Sequence, residues 1–119
     1  MFEVHEYQIS LSRGDTGAIK FNTITEYEFT ENDRALFSVK NALGEVVRQQ
    51  AYPLESDKSF TVQFANADTD SLPAGSFSWD VRYIINPYYD DQGRIVDGDQ
   101  VITPKLPMEM LLLQVVGEV

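Results

Sequence analysis

FSWDVRYII, residues 77–85, places a large apolar side chain at every second position. Successive residues of a β-strand point to opposite faces of the sheet, so this pattern predicts a strand with one face in a central core and the other mostly in solvent. The core face comprises Phe77, Trp79, Val81, Tyr83 and Ile85. Trp79 is the single tryptophan of the chain, and we predict that it is the core anchor against which two sheets pack.

Other segments alternate in the same way between clusters of turn residues. The clearest is residues 60–64, and shorter strands are predicted around residues 7–11, 19–21 and 37–39. We expect the phenylalanines of these strands to join Trp79 in the core: Phe21, Phe60, Phe64 and Phe77. Residues 45–51 follow the turn Asn41-Ala42-Leu43-Gly44 and are more polar, which favours an edge strand ending at Pro53.

The last third of the chain is rich in turn residues. Residues 86–100 are interpreted as a long polar excursion, within which residues 93–96 are a candidate hairpin arm. Residues 101–116 form the last strand region, and Pro104 and Pro107 place its first half on a sheet edge or at a bulge. With no helical stripe of twelve residues or more, the pattern predicts an all-β, immunoglobulin-like antiparallel β-sandwich of about seven strands. It forms a single domain over residues 1–119, and a small β-barrel is the alternative fold.

Composition excludes several classes of protein. The chain has 119 residues, no cysteine and a net charge of −10, which removes disulfide frameworks, thiol nucleophiles and cysteine zinc sites. So acidic a chain repels phosphate, which disfavours nucleic acids and anionic membranes as partners. A hydrophobic content of 43% is too high for a disordered acidic tail. Glu3, His5 and Glu6 stand where an export signal has its basic start, so we expect no signal peptide.

The residues available for catalysis are few. His5 is the only histidine, and we interpret it as an exposed strand residue. A serine triad would have to recruit it from the first strand, and a zinc site would rest on carboxylates, which zinc favours less than nitrogen and sulfur. We therefore predict no catalytic residues, no metal and no cofactor. A carboxylate-based hydrolase stays open as a hypothesis because acidic residues are plentiful, but nineteen of them supply pairs by chance, so their abundance is weak support.

Two candidate sites lie close together after the central strand. The loop from Asp90 to Asp99 (DDQGRIVDGD) is rich in carboxylates but matches the calcium-loop spacing poorly, which favours a solvated hairpin loop. Tyr88 and Tyr89 precede it. Adjacent exposed tyrosines suit a protein interface or a platform for a sugar ring, and the alternative is that one ring covers the end of the core.

The third candidate is the aliphatic segment of residues 108–116 (MEMLLLQVV). It is more apolar than a half-exposed edge strand requires. Either the segment is buried on both faces within the sandwich, or one face docks onto another subunit through Met108, Met110 and Leu112.

Several motifs together resemble a known family. They are the turn Gly14-Asp15-Thr16-Gly17 with Ile19 and Phe21 after it, the alternation of Phe60, Val62 and Phe64, and LPAGSFSWDVR at residues 72–82. From about Tyr7 to Val115 the chain resembles the N-terminal domains of phage baseplate upper proteins, which are immunoglobulin-like modules. The resemblance implies a structural role in the virion, in which the domain holds a neighbouring baseplate or fibre protein.

The resulting hypothesis is a non-enzymatic phage virion protein, an assembly module of the tail, baseplate or fibre attachment. We expect it to bind other virion proteins, to form a homo-oligomer, and to be located in the virion after assembly in the host cytoplasm. We expect no nucleic-acid or membrane partner. The alternative is a glycan- or ligand-binding β-sandwich module, such as an adhesion accessory or capsid decoration protein, that uses Tyr88, Tyr89 and the loop from Asp90 to Asp99.

Overall fold

The computed structural model describes residues 3–5, 8–12, 14–22, 27–65, 67, 75–103 and 112–116. These residues contain nine β-strands: β1 (Glu3–His5), β2 (Gln8–Ser12), β3 (Gly17–Asn22), β4 (Arg34–Lys40), β5 (Val46–Pro53), β6 (Ser59–Phe64), β7 (Gly75–Tyr89), β8 (Ile95–Ile102) and β9 (Leu112–Val116). The prediction of an all-β chain is confirmed. The strand count exceeds seven because β1 is additional and the predicted last strand region divides between β8 and β9.

The strands form two sheets. The larger has the order β1-β2-β9-β7-β4-β5, with β8 also paired to β7, and the smaller consists of β3 and β6. The run β9-β7-β4-β5 opposite β3-β6 matches the G-F-C-C′ strands opposite B-E in an immunoglobulin-like sandwich. The predicted fold class is therefore confirmed. One pairing differs from the antiparallel rule, since β2 and β9 are parallel and join the two ends of the chain.

The core lies between the inner faces of the two sheets. Alternate residues of β4 and β7 face alternate residues of β6. Those with almost no exposure include Phe37, Val39 and Val81 on the large sheet and Phe60, Val62 and Phe64 on the small one. Trp79 is 3% exposed, and its ring centroid lies 5.2 Å from that of Phe21 and 5.6 Å from that of Phe37. Phe21 is partly buried and stacks on Phe60 at 5.1 Å, so these aromatic rings link the small sheet to the large one.

β5 is the terminal strand of the large sheet and ends at Pro53, as the polar sequence of this segment predicts. Its inward-facing residues reach the small sheet. The Arg48 guanidinium lies 4.6 Å from the centroid of the Phe64 ring, and its Nη2 donates a hydrogen bond to the Gln63 carbonyl at 3.0 Å. Tyr52 stacks against Phe60 with a centroid separation of 6.1 Å.

The long polar excursion predicted for residues 86–100 is wrong in its extent, because these residues form a β-hairpin. The hairpin arm predicted at residues 93–96 overlaps the start of β8 at Ile95. β7 extends to Tyr89, and β8 returns along it with Tyr88 opposite Asp97 and Ile84 opposite Val101; the register shifts between Tyr88 and Tyr89, where Val96 of β8 is left without a paired residue. β4 leaves β7 at Ile84, so in the described part of the chain residues 85–89 pair with β8 alone. At about 3.4 Å per residue they extend the hairpin roughly 17 Å past Arg34, the first residue of β4. We call residues 85–100 the arm.

Candidate functional site

The base of the arm is fixed by a buried carboxylate. Asp33 is 1% exposed; its Oδ1 accepts a hydrogen bond from the Asn86 amide at 2.9 Å, and its Oδ2 accepts one from the Thr30 amide at 2.7 Å. Asn86 has φ +47°, a left-handed conformation that asparagine tolerates better than most residues. The bend at Asn86 is thus held by the loop that precedes β4. Neither residue is marked as a site residue by a local pattern in the sequence.

The far end of the arm is a tight turn closed by Asp90. Its Oδ1 accepts hydrogen bonds from the Gln92 and Arg94 amides, both at 2.9 Å, and its Oδ2 accepts one from Arg94 Nε at 3.0 Å. The hydrogen bond from the Arg94 amide is the main cause that lowers the pKa of Asp90. Gly93 has φ +79°, which glycine adopts without steric cost. The first carboxylate of the loop from Asp90 to Asp99 therefore accepts hydrogen bonds from its own turn.

The β4–β5 hairpin closes with the same kind of turn. Asn41 Oδ1 accepts hydrogen bonds from the Leu43 and Glu45 amides, both at 3.0 Å, and Gly44 has φ +80°. In both turns an Asn or Asp begins the loop and a glycine follows three residues later, so the side chain replaces missing backbone partners. The two hairpins differ in the residues around the turn: aspartates in the β7–β8 hairpin, and exposed Leu43, Val46 and Val47 in the β4–β5 hairpin.

One face of the arm carries a polar cluster around Tyr88. The Tyr88 hydroxyl donates a hydrogen bond to Asp99 Oδ1, and Asn86 Nδ2 donates one to Asp99 Oδ2 at 2.9 Å. The hydrogen bond with Asp99 raises the pKa of Tyr88. The bonds from Tyr88 and then Asn86 lower the pKa of Asp99. The Tyr88 ring is 47% exposed, so it presents an aromatic surface beside an ionised carboxylate.

Tyr88 and Tyr89 are consecutive residues of β7, and the additional residue of the register shift between them, Val96, belongs to β8; alternation along β7 therefore assigns Tyr89 to the opposite face of the arm. Tyr89 is 51% exposed. The two tyrosines were grouped in the sequence as one candidate site, but the arm separates them into two single-ring surfaces. A partner that contacts both rings has to bind to both faces of the arm.

The arm owes its close pairing to Gly98. A Cβ at this position would lie 2.5 Å from Ile84 Cγ2 and 2.9 Å from the Ile85 carbonyl oxygen. The absence of a side chain lets β8 approach β7 where the strand leaves the sandwich. A glycine among aspartates is an ordinary turn signal in the sequence, so this role was not visible there.

The remaining sequence candidates are only partly described. Leu112 begins β9, with its backbone opposite Ser78, and β9 is paired on both edges by β2 and β7. Strand addition to β9 is thereby prevented, whereas docking through its face stays a prediction. Met108 and Met110 lie outside the described residues. His5 is the last residue of β1, with its backbone opposite Gln8.

Within the described ranges, no group of three or more histidine, aspartate or glutamate side chains is placed to hold a metal ion. In the same residues no helix has the length and apolarity needed to cross a membrane. A scan against protein-family models found no match to the chain, and comparisons with curated proteins and with solved structures found no significant similarity. The class of protein is therefore defined by the fold: a β-sandwich of immunoglobulin-like strand order with a projecting hairpin.

Proposed function

We propose that this chain is a non-enzymatic structural protein of a phage virion, an assembly module of the tail, baseplate or fibre attachment. In this role it binds other virion proteins and further copies of itself, and it is located in the virion after assembly in the host cytoplasm. The proposal is supported by the resemblance of residues 14–21, 60–64 and 72–82 to phage baseplate modules and by the shape of the arm.

The observation that carries the proposal is a pair of half-exposed tyrosines on a strand whose two ends are fixed by hydrogen bonds to Asp33 and Asp90. Tyr88 and Tyr89 lie beyond Arg34, the first residue of β4, where a partner can contact both faces of the arm. Tyrosine is enriched at interface hot spots because it combines a large apolar area with a hydroxyl group. Asp33 and Asp90 fix the two ends of the arm, which lowers the conformational entropy lost on binding.

The charge of the chain also supports a protein partner. Four aspartates and one arginine give the arm a net charge of −3, within a chain of −10. This charge opposes binding to phosphate backbones and anionic lipids, whereas carboxylates at an interface rim steer a complementary protein surface.

The test is whether the protein is a component of particles. In virions purified from the phage that encodes it, we expect mass spectrometry to find the chain at a fixed ratio to the tail proteins. Deletion of its gene should yield particles that lack a neighbouring baseplate or fibre component. Purified virions without the chain, or a gene with no tail, baseplate or capsid genes beside it, would overturn the proposal.

A second candidate function, glycan binding, is favoured by the cluster around Tyr88. An exposed aromatic ring with a carboxylate and an amide next to it offers a sugar both a stacking surface and hydrogen-bond partners. A bound glycan should raise the melting temperature. Tyr88→Ala should abolish that rise, and Tyr89→Ala, on the opposite face, is the matched control. Absence of any hit for the wild-type chain on a glycan array argues against this function.

A further inference from the structure

Exposed apolar residues lie at both ends of the large sheet. One group belongs to the β4–β5 tip, residues 41–48, where Leu43 is 83% exposed and Val46 and Val47 are also exposed. The other group is on the arm, with Tyr88, Tyr89 and Val96. Isolated apolar side chains on a surface are ordinary, but several at the end of a projecting hairpin can be covered by one partner that contacts both faces of the hairpin.

The antiparallel register places the two groups at opposite ends. Lys40, the last residue of β4, lies opposite Ser78, near the start of β7, while Arg34 lies opposite Ile84. The β4–β5 tip therefore extends past the start of β7, and the arm extends past the start of β4. A single chain cannot bring its own tip and arm together through this rigid sheet.

Charge distinguishes the two ends. The arm has a net charge of −3, whereas the β4–β5 tip carries one acid, Glu45, and one base, Arg48. Lys40 adjoins the tip, pairs with Asp80 at 3.3 Å and keeps about a third of its side chain exposed. An arm that meets a second arm sets two groups of carboxylates against each other. An arm that meets a tip avoids this repulsion and covers apolar residues on both sides.

We propose that the arm of one molecule docks onto the β4–β5 tip of a second copy of this chain. The inference rests on the self-association included in the proposed function and specifies its geometry. Because the two surfaces differ and lie at opposite ends, the contact is heterologous: each molecule offers one arm and one tip. Repetition of such a contact produces a ring when the rotation closes and a filament when it does not.

Two variants separate this geometry from a symmetric dimer. The tip variant is Leu43→Asp, and the arm variant combines Tyr89→Ala with Val96→Asp. All three positions are exposed, so thermal melts should match the wild type closely. Sedimentation velocity then measures the mass of each protein alone and of an equimolar mixture, over a range of concentrations and at about 0.15 M salt, where screening is moderate.

We expect the wild type to exceed the 13.5 kDa of one chain as concentration rises, and each variant alone to stay at that mass. In the mixture, the intact arm of the tip variant binds the intact tip of the arm variant. The product should be a 1:1 dimer of twice that mass that grows no further. Self-association of either variant alone to the wild-type extent, or a mixture without the dimer, would overturn the inference.

The result is independent of the virion test. A wild-type chain that is monomeric at its highest soluble concentration but present in virions overturns the head-to-tail contact and leaves the assembly function standing. If the chain is absent from virions but the mixture forms the 1:1 dimer, the assembly function is overturned and the head-to-tail contact stands.

Discussion

The two halves of β7 are held by different forces. Residues 75–84 pair with β4 and β9 and place Trp79, Val81 and Tyr83 in the core. Residues 85–89 pair with β8 alone among the described strands, and both tyrosines there are half exposed. The first half is stabilised by burial in the core, whereas in the second half Ile85 and Pro87 are buried and the exposed part is held by a few polar contacts and by the close approach that Gly98 allows. The same strand thus anchors the fold and presents the candidate site, and its two halves should respond differently to substitution.

Substitution within the sandwich should have the largest effect. Trp79→Ala removes the ring that packs against Phe21 and Phe37, and we expect it to lower the free energy of unfolding by about 3–5 kcal/mol. Tyr89→Ala, in the outer half of the same strand, should cost less than about 0.5 kcal/mol. Because Trp79 is the only tryptophan, both transitions are followed by circular dichroism in urea. Equal midpoints for the two variants would contradict the distinction between the halves.

The second effect is at the junction of the two halves. Asp33→Ala leaves the Thr30 and Asn86 amides without their charged acceptor, and we expect a loss of about 3 kcal/mol. Asp33→Asn keeps one acceptor oxygen and should lose less. Amide hydrogen exchange should accelerate most at Asn86, while Asp91→Ala, at an exposed position of the arm, serves as the control. Unchanged exchange at Asn86 in Asp33→Ala would show that the carboxylate does not hold the arm.

The third effect concerns the pairing of the arm. In Gly98→Ala the new methyl group meets Ile84 Cγ2 and the Ile85 carbonyl, and the strands have to separate, at about 1–3 kcal/mol. Gly93→Ala is the comparison, because nothing lies within 4 Å of its Cβ and the cost is the strain of a positive φ, about 1 kcal/mol. NMR shift changes should spread along the arm in the first variant and stay at the turn in the second. The reverse distribution would contradict the role given to Gly98.

The inner half of β7 was predictable from the sequence and the outer half was not. A period of two over residues 77–83 is enough to identify a core strand, because burial imposes the pattern. Beyond Ile85 the one buried residue of β7 is Pro87, and a proline followed by four aspartates has the composition of a loop. Proline is tolerated there because β4 pairs with β7 only as far as Ile84, which leaves one edge of β7 open in the described residues.

The site depends on contacts that a local pattern does not contain. Asp33 belongs to none of the candidate sites in the sequence, and its hydrogen bond with Asn86 joins residues 53 positions apart. The parallel pairing of β2 with β9 likewise joins the two ends of the chain. Tyr88 and Tyr89 were recognised as exposed aromatics, but their placement on opposite faces follows only once residues 86–89 are known to be a strand.

The smallest effect distinguishes the two faces of the arm and depends on pH. The hydrogen bond from Tyr88 lowers the pKa of Asp99 below its ordinary value of 3.8, so the contribution of this contact is complete above pH 3.8 and is lost as the pH falls through the lowered pKa. The pKa of Tyr88 is raised above 10.0, so the contribution of this contact is also lost at high pH, as the pH rises through the raised pKa of Tyr88. Between these limits the contact persists.

Tyr88→Phe should move the pKa of Asp99 upward, toward 3.8, with the share that Asn86 contributes retained. Tyr89→Phe removes the same hydroxyl from the other face and should leave the titration of Asp99 unchanged. Because Asp99 is exposed to solvent, the readout is the NMR titration of its carboxyl carbon rather than the free energy of unfolding. If the two variants give Asp99 the same pKa, the Tyr88 hydroxyl does not bind this carboxylate in solution, and the polar cluster proposed as a glycan site loses its central contact.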